Sequence, residues 1–270
     1  MDFKRIRKWY DMAGRTVLLT GATGRLGRYY AGVMSEVGAN VVIIDLDQAV
    51  CEEFAQEIRD EHGTDPLPLA FDVSDQEQVK DNISIIYERY GRLDVLVNNA
   101  CAYQTTIVDD QVVTFENFPL DLWQANLDVN LTGAFLLAQA SGRRMIEDGG
   151  GVILNIGSTY GVVACDQRIY GDTGINSSVA YATTKSGLTN FSRYLASYYQ
   201  GKNIRVNCLS PAGIWNDQKE PFLSNYLDKL MIKRMGNLDD LGAAVLYLVS
   251  DASSWVTGTN MMVDGGFTAW

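Results

Sequence analysis

The stretch "TVLLTGATGRLG", Thr16 to Gly27, decides the fold. Five β-branched and apolar residues run into a turn with glycines at 21, 24 and 27, and the chain then continues at helical spacing. A buried strand that ends in a glycine turn and opens a helix begins a βαβ unit. The glycines let the chain turn tightly and let an anion approach the backbone. The helix N-terminus then presents free N–H groups and a favourable dipole, so the stretch predicts a seat for the pyrophosphate of a dinucleotide. Glycine also serves close packing, so the reading needs support from the rest of the chain.

That support lies outward on both sides. "NVVIID" (40–45), "LDVLVN" (93–98), "GVILNIG" (151–157) and "IRVNCLS" (204–210) are predicted as buried parallel strands, with a weaker "PLPLAF" (66–71) and a final "NMMVDG" (260–265). Between them apolar residues recur at helical spacing, as in Val50, Phe54 and Ile58, or Val79, Ile83, Ile86 and Tyr90. Ser74 and Glu77 have the form of a capping box, and His62 reads as the frayed end of a helix. Regular alternation of strand and helix predicts an α/β fold: a doubly wound, Rossmann-type parallel sheet of about seven strands flanked by helices. No Pro- or Ser-rich linker interrupts the pattern, so residues 1–270 read as a single domain with a short basic extension (1–13). Asp45 closes the second strand, 24 residues beyond Gly21, where a carboxylate would hold the adenosine ribose. It would repel a 2′-phosphate, favouring NAD over NADP, with Arg25 close enough to blunt that preference. A helix N-cap is the other use for Asp45.

Composition removes several classes of function. A net charge of −11 repels nucleic acid and anionic membranes, and no apolar run is long enough to span a bilayer. The basic start "MDFKRIRKWY" has no apolar stretch of the signal-peptide kind and reads as a solvated first turn, so a cytoplasmic location is expected. Cys51, Cys101, Cys165 and Cys208 are widely spaced, reading as reduced thiols without a disulfide framework or a zinc site. With one histidine in the chain, a Ser-His-Asp relay or a multi-histidine metal site lacks parts, and no metal is expected. In "YGDTGINSSVAYATTK" (170–185) only the second tyrosine has a lysine four residues on, one helical turn away, so both side chains reach one face. Chance supplies such a pair fairly often in a chain with 14 tyrosines.

Taken in chain order, "TGATGRLG", "DVSD" (72–75), "LDVLVNNA" (93–100), "VNLTGAF" (129–135), "NIGSTYG" (155–161), "YATTK" (181–185), "IRVNCLSPAG" (204–213) and "TGTNMMVDGG" (257–266) resemble the single-domain branch of the short-chain dehydrogenases/reductases over essentially the whole chain. The resemblance implies that Asn130, Ser158, Tyr181 and Lys185 are the catalytic four, with Tyr181 as acid/base. Ser158 would hydrogen-bond the substrate oxygen, Lys185 would hold the nicotinamide ribose, and Asn130, mid-helix, would anchor a proton-relaying water. A free phenol titrates near 10, and a neighbouring ammonium with an oxidised nicotinamide would lower that value. The cofactor contacts implied are Gly21, Thr23, Gly24, Arg25, Leu26, Gly27, Asp45, Leu46, Asp72, Val73, Asn98, Asn99, Ala100, Tyr181, Lys185, Pro211, Gly213, Ile214 and Asn216. The chain departs from the family in its glycine spacing, in Cys101 where a glycine is usual, and in Asn216 near the usual threonine.

Ser158 and Tyr181 stand 23 residues apart, and the extra segment 164–178 is placed to form a substrate wall, with 101–123 and 214–226 nearby. Their polar groups (Gln104, Asp166, Arg168, Asp172, Asn176, Gln218) favour a hydrophilic substrate, although surface loops are polar in any case. The chain is also similar to a narrower group, the dehydrogenases of bacterial flagellin- and surface-glycan modification pathways, which implies an amino sugar, sugar phosphate or nucleotide sugar. The leading function is an NAD(H)-dependent interconversion of a secondary alcohol and a ketone. A catalytically idle dinucleotide sensor and an epimerase with tightly held NAD remain as alternatives. A homo-oligomer, tetramer or dimer, is expected through the helices near 121–147 and 179–200, with Tyr194, Tyr198, Tyr199 and Trp270 as interface or core residues.

Overall fold

Residues 4–102, 106–108 and 111–270 are described by a computed structural model; Gln104 lies outside them. The seven predicted strands form within a residue or two: β1 Thr16–Thr20, β2 Asn40–Asp45, β3 Leu67–Ala70, β4 Val95–Asn98, β5 Gly151–Ile156, β6 Ile204–Pro211 and β7 Asn260–Val263. They pair in parallel in the order β3-β2-β1-β4-β5-β6-β7. In register, Val17 stands between Val41 and Val95, and Asn98 lies beside Asn155. The chain winds outward from β1 in both directions, so the crevice between the C-terminal ends of β1 and β4 is the switch point where doubly wound sheets take ligands.

Both faces of the central strands are buried, which is why β1, β2, β4 and β5 run largely apolar rather than alternating. On one face Val17, Leu19, Val41 and Ile43 meet Tyr30 and Met34 of α2 (Arg25–Glu36), Phe54 and Ile58 of α3 (Gln48–His62), and Leu241 and Val245 of a C-terminal helix, Asp239–Val249. On the other face Leu18, Val42 and Ile44 meet Val79, Ile83 and Ile86 of α4 (Gln76–Tyr90) together with Leu137, Met145, Leu195 and Tyr199. Each such leucine contributes about 1.5–3 kcal/mol by leaving water.

Local chemistry sets the helix ends. Asp47 caps α3, accepting from the N–H groups of Ala49 and Val50, which leaves Asp45 to a different use. The expected Ser74–Glu77 box does not form: Asp75 caps α4 through Glu77 and Gln78, and Ser74 instead donates to Asp72 at 2.7 Å. A carboxylate one residue closer to the helix is the stronger acceptor. His62 ends α3 without fraying, because Gly63 adopts φ +67° and donates to the Arg59 carbonyl. α1, Lys4–Tyr10, carries the basic N-terminal residues, with Arg5, Arg7 and Lys8 exposed.

Two further helices carry the site. The first runs from α5 (Leu120–Leu127) through a wide π turn (Asp128–Gly133) into α6 (Ala134–Glu147). The second is α7, Val179–Tyr198. Their outer faces leave Phe135, Tyr194 and Tyr198 exposed, whereas Tyr199 is only 5% exposed and belongs to the core. Trp270 is exposed at the C-terminus.

Candidate active site

At the switch point, the glycine turn makes a cradle that only glycine permits. A Cβ on Gly27 would lie 2.1 Å from the Gly21 carbonyl oxygen, and one on Gly21 (φ +60°) would lie 2.9 Å from Ala100 Cα. Gly24 occupies the N-cap of α2 and no side chain caps that end, so the first N–H groups of the helix stay available to an anion. The cradle opens into a cleft of about 500 Å³ lined by Gly21, Gly24, Arg25, Leu26, Gly27, Asp45, Leu46, Asp72, Val73, Asn99 and Ala100 from the sequence reading, joined by Ile44, Phe71, Cys101, Ala102 and Val129. The backbone-limited turn, the uncapped helix end and the apolar pair Phe71 and Val73 fit a dinucleotide with a planar base.

Asp45 is held rigidly at the rim of this cleft. Its Oδ2 accepts from Thr23 Oγ1 at 2.6 Å and from Thr23 N at 3.1 Å, and its Oδ1 accepts from Leu46 N at 3.0 Å. Thr23 thus supports the carboxylate instead of lining the cleft. Thr20, which the sequence reading passed over, is the pin between β1 and β4: its hydroxyl accepts from the N–H groups of Asn99 and Ala100 at 3.0 Å each. Asn99 Nδ2 donates back to the carbonyls of Thr20 and Gly21. A threonine ending a buried strand was the available signal, and it is too common to single out.

Asn98 stands behind the cleft. It is buried, and its Nδ2 donates to Asn155 Oδ1 at 2.8 Å, while Asn155 Nδ2 donates to Ser192 Oγ at 2.8 Å. This chain of amides fixes α7 to the sheet. Pro211 is buried at the end of β6 and Asn216 is exposed, its N–H donating to Gln218 Oε1. Gly213 and Ile214 line a separate, smaller cleft with Leu230 and Arg234. These four lie apart from the main cleft lining.

Ser158, Tyr181, Lys185 and Asn130 converge beside Cys101 and Ala102. Ser158 follows β5 and hydrogen-bonds the Tyr181 hydroxyl. One turn along α7, the Lys185 ammonium is buried, donates to the Ile156 carbonyl at 2.7 Å, and lies 5.6 Å from the Tyr181 ring centroid. Asn130 sits in the π turn, where the extra residue turns its amide inward. Its Oδ1 accepts from Ala102 N at 2.7 Å and its Nδ2 donates to Thr184 Oγ1 at 3.1 Å, tying the end of β4 to α7.

The phenol of Tyr181 stands high in the chain without its cofactor. Burial pushes it up to about 12; nearby Cys101 adds to the rise, and the Ser158 hydrogen bond opposes it. The Lys185 ammonium sits over the ring face and donates to the Ile156 carbonyl, and burial outweighs the Ser158 hydrogen bond.

On the substrate side, Asp166 is tied to Arg168 and Lys229, Asn176 to Thr106 and Val113, and Gln218 to Asn216 and the Ile214 carbonyl. Asp166 and Asn176 brace their loop to neighbouring segments, and Gln218 closes a turn within its own. Between the segments, Tyr160, Phe267, Tyr226, Phe222 and Tyr170 form a row of rings with successive centroids 6.2, 5.0, 5.2 and 5.5 Å apart. The helix α8, Phe222–Lys229, supplies two of them.

This fold and this site define a dinucleotide-dependent oxidoreductase, and comparison with known proteins agrees. The family model described as "Enoyl-(Acyl carrier protein) reductase" matches residues 21–268. An NAD-dependent glycerol dehydrogenase of Listeria innocua is 31% identical, with 99% of each chain covered. A D-threitol dehydrogenase of Mycolicibacterium smegmatis is 30% identical over 96% of this chain and 95% of its own. The crystal structure of a gluconate 5-dehydrogenase from Burkholderia cenocepacia, in complex with NADP and tartrate, superposes with a TM-score of 0.88 at 29% identity, covering 98% and 99% of the two chains. The chain belongs to the short-chain dehydrogenase/reductase family. It is an NAD(P)-dependent dehydrogenase acting on CH–OH groups.

Proposed function

We propose that the chain interconverts a secondary alcohol and a ketone on a small hydrophilic polyol or sugar-like substrate, with Tyr181 as acid/base and NAD(H) preferred. The observation that carries this is the Ser158–Tyr181–Lys185 group, with Ser158 and Lys185 buried and Tyr181 half-buried, set beside Cys101, which lines the glycine-cradled cleft with Asp45 at its rim. When bound, the dinucleotide supplies the hydride acceptor or donor. Ser158 holds the substrate oxygen, and Tyr181 takes or returns its proton. Lys185 orients the ring and the cofactor ribose, and Asn130 fixes the strand end against α7.

A carboxylate braced by Thr23 and Leu46 disfavours a 2′-phosphate, which supports NAD; the gluconate dehydrogenase structure carries NADP, so both cofactors belong in the assay. Glycerol and threitol as the substrates of similar enzymes support the polyol reading. The likeness to surface-glycan pathway dehydrogenases adds amino sugars and nucleotide sugars to the panel. The four free thiols fit a reducing cytoplasm, and among the described residues no helix is long and apolar enough to cross a membrane. A homo-oligomer would cover the exposed rings of Phe135, Tyr194 and Tyr198, which light scattering would read as a multiple of the chain mass.

The test is NAD(P)H formation or loss by purified protein with glycerol, D-threitol, gluconate, glucose and nucleotide-linked amino sugars. Turnover on a hydroxylated substrate with preference for NAD supports the proposal. Turnover confined to apolar alcohols or acyl substrates overturns it.

A further inference from the structure

Apart from the two cores that flank the sheet, Ile169, Tyr226, Leu230, Met235 and Phe267 form a small buried core of their own. They come from three segments far apart in sequence. Ile169 belongs to the 164–178 insertion, Tyr226, Leu230 and Met235 to the excursion 214–236 that carries α8, and Phe267 to the C-terminal residues 264–270.

Further contacts join the same three segments. Asp166 pairs with Lys229 of α8, and Asn225 Nδ2 donates to the carbonyls of Arg168 and Ile169 at 3.4 and 3.2 Å. The rings of Tyr170 and Phe222 lie 5.5 Å apart. On the other side, Ile232 N donates to the Gly265 carbonyl at 2.9 Å, and Trp270 Nε1 donates to the Lys229 carbonyl at 3.1 Å. The Phe267 ring stacks on Tyr226 at 5.0 Å.

The excursion is closed at its neck, where Trp215 N donates to the Gly236 carbonyl at 2.7 Å and Gly236 N to the Gly213 carbonyl at 3.1 Å. An eight-residue helix is marginal in water by itself, so α8 keeps its shape through its docking onto the insertion and the C-terminal residues. The assembly also rests on the turn that bears the catalytic serine. Ser158 caps Thr159–Gly161, accepting from Tyr160 N at 3.2 Å, and the Tyr160 ring meets Phe267 edge-on at 6.2 Å.

We propose that 166–171, 214–236 and 264–270 form one cap beside Ser158 that opens and closes as a unit, with Asp166 its latch; its place at the substrate door rests on the Ser158–Tyr181 reading. A core shared by three segments loses its burial for all of them when one departs, so they share one opening equilibrium. The cofactor cleft is lined by other residues and stays outside this equilibrium. Asp166 also caps the turn Gln167–Tyr170, accepting from Arg168 N at 3.0 Å. Asparagine keeps that acceptor and gives up the charge pairs, so Asp166→Asn releases the latch and spares the turn.

The test is hydrogen–deuterium exchange of the whole chain, read by mass spectrometry on peptides covering 166–171, 222–229, 264–270 and, as reference, α4. Asp166→Asn is expected to raise exchange in the first three about tenfold, with α4 unchanged and the NADH dissociation constant within about twofold. Residues 264–270 decide, because the bonds above connect them to Asp166 through α8. Asn225→Ala, made on α8, should raise exchange in 166–171 and in 264–270 about threefold, and it provides the readout if Asp166→Asn fails to fold. Exchange at 264–270 that stays at the parent rate in the folded variants overturns the proposal. The rates are read without substrate, so they stand apart from the acid/base role of Tyr181, whose failure would show instead as full turnover by Tyr181→Phe.

Discussion

Replacing Gly27 by alanine tests the cradle at its tightest point. The added Cβ would meet the Gly21 oxygen at 2.1 Å and the Ala22 backbone at 2.7 and 2.8 Å, against the roughly 3.5 Å at which non-bonded atoms settle. The obstacles are backbone atoms, so no rotamer change relieves them, and α2 must move away from the turn by more than about 1 Å. Overpacking of this kind costs about 1–3 kcal/mol or more. For a chain of this size that corresponds to a fall in Tm of roughly 2–12 °C. The displaced helix end also loses its alignment with the pyrophosphate, and NADH affinity should fall about tenfold or more. Gly24→Ala is the control for the melting effect, because its Cβ would sit 3.4 Å from the nearest protein atom, at the edge of ordinary contact. Thermal melts and NADH fluorescence on both variants read the two effects. If Gly27→Ala melts and binds NADH like the parent, the cradle reasoning is wrong.

Other consequences follow from the same geometry. Asp45→Asn should raise KM for NAD about tenfold and improve use of NADP, since the rim carboxylate is removed while Thr23 keeps a hydrogen-bond acceptor; steady-state kinetics with each cofactor decide. Asp166→Asn breaks the pairs to Arg168 and Lys229 and should raise substrate KM several-fold with the NADH dissociation constant unchanged. Alkaline stability should fall between pH 10 and pH 12: burial raises Tyr90, Tyr181 and Tyr226 from 10.0 to about 12, so over that window the unfolded chain releases protons that the folded chain retains. Denaturant midpoints that stay level from pH 9.5 to pH 11.5 would count against this.

The sheet was legible because its strands are apolar on both faces and each ends at a turn residue, so even the weak "PLPLAF" formed as Leu67–Ala70. The cradle was legible because glycine is the one residue whose absence of a side chain can be read directly. Asn130 is buried between the end of β4 and α7, yet its π turn was invisible, since an extra residue in a helix leaves no mark on apolar spacing. The cap at Asp75 was misplaced by one residue for the same reason that all caps are hard to fix: several neighbouring side chains compete. The bonding of the polar loops was not legible. Composition counts hydrogen-bonding groups, but Asp166 pairs with Lys229 and Asn176 with Val113, partners distant in sequence, while Gln218 turns back on Ile214 in its own loop; only the assembled loops show that. The Tyr181 phenol illustrates the same limit, because burial and the Ser158 hydrogen bond push in opposite directions and their balance depends on distances.

The account stands most directly on Tyr181. Tyr181→Phe removes one oxygen and leaves the ring packed against Lys185. Rates measured at saturating cofactor, beside NADH binding on the same preparation, separate chemistry from folding. The account predicts a fall in kcat of about 10²–10⁴ with NADH affinity unchanged. A variant that turns over substrate within about threefold of the parent would contradict it.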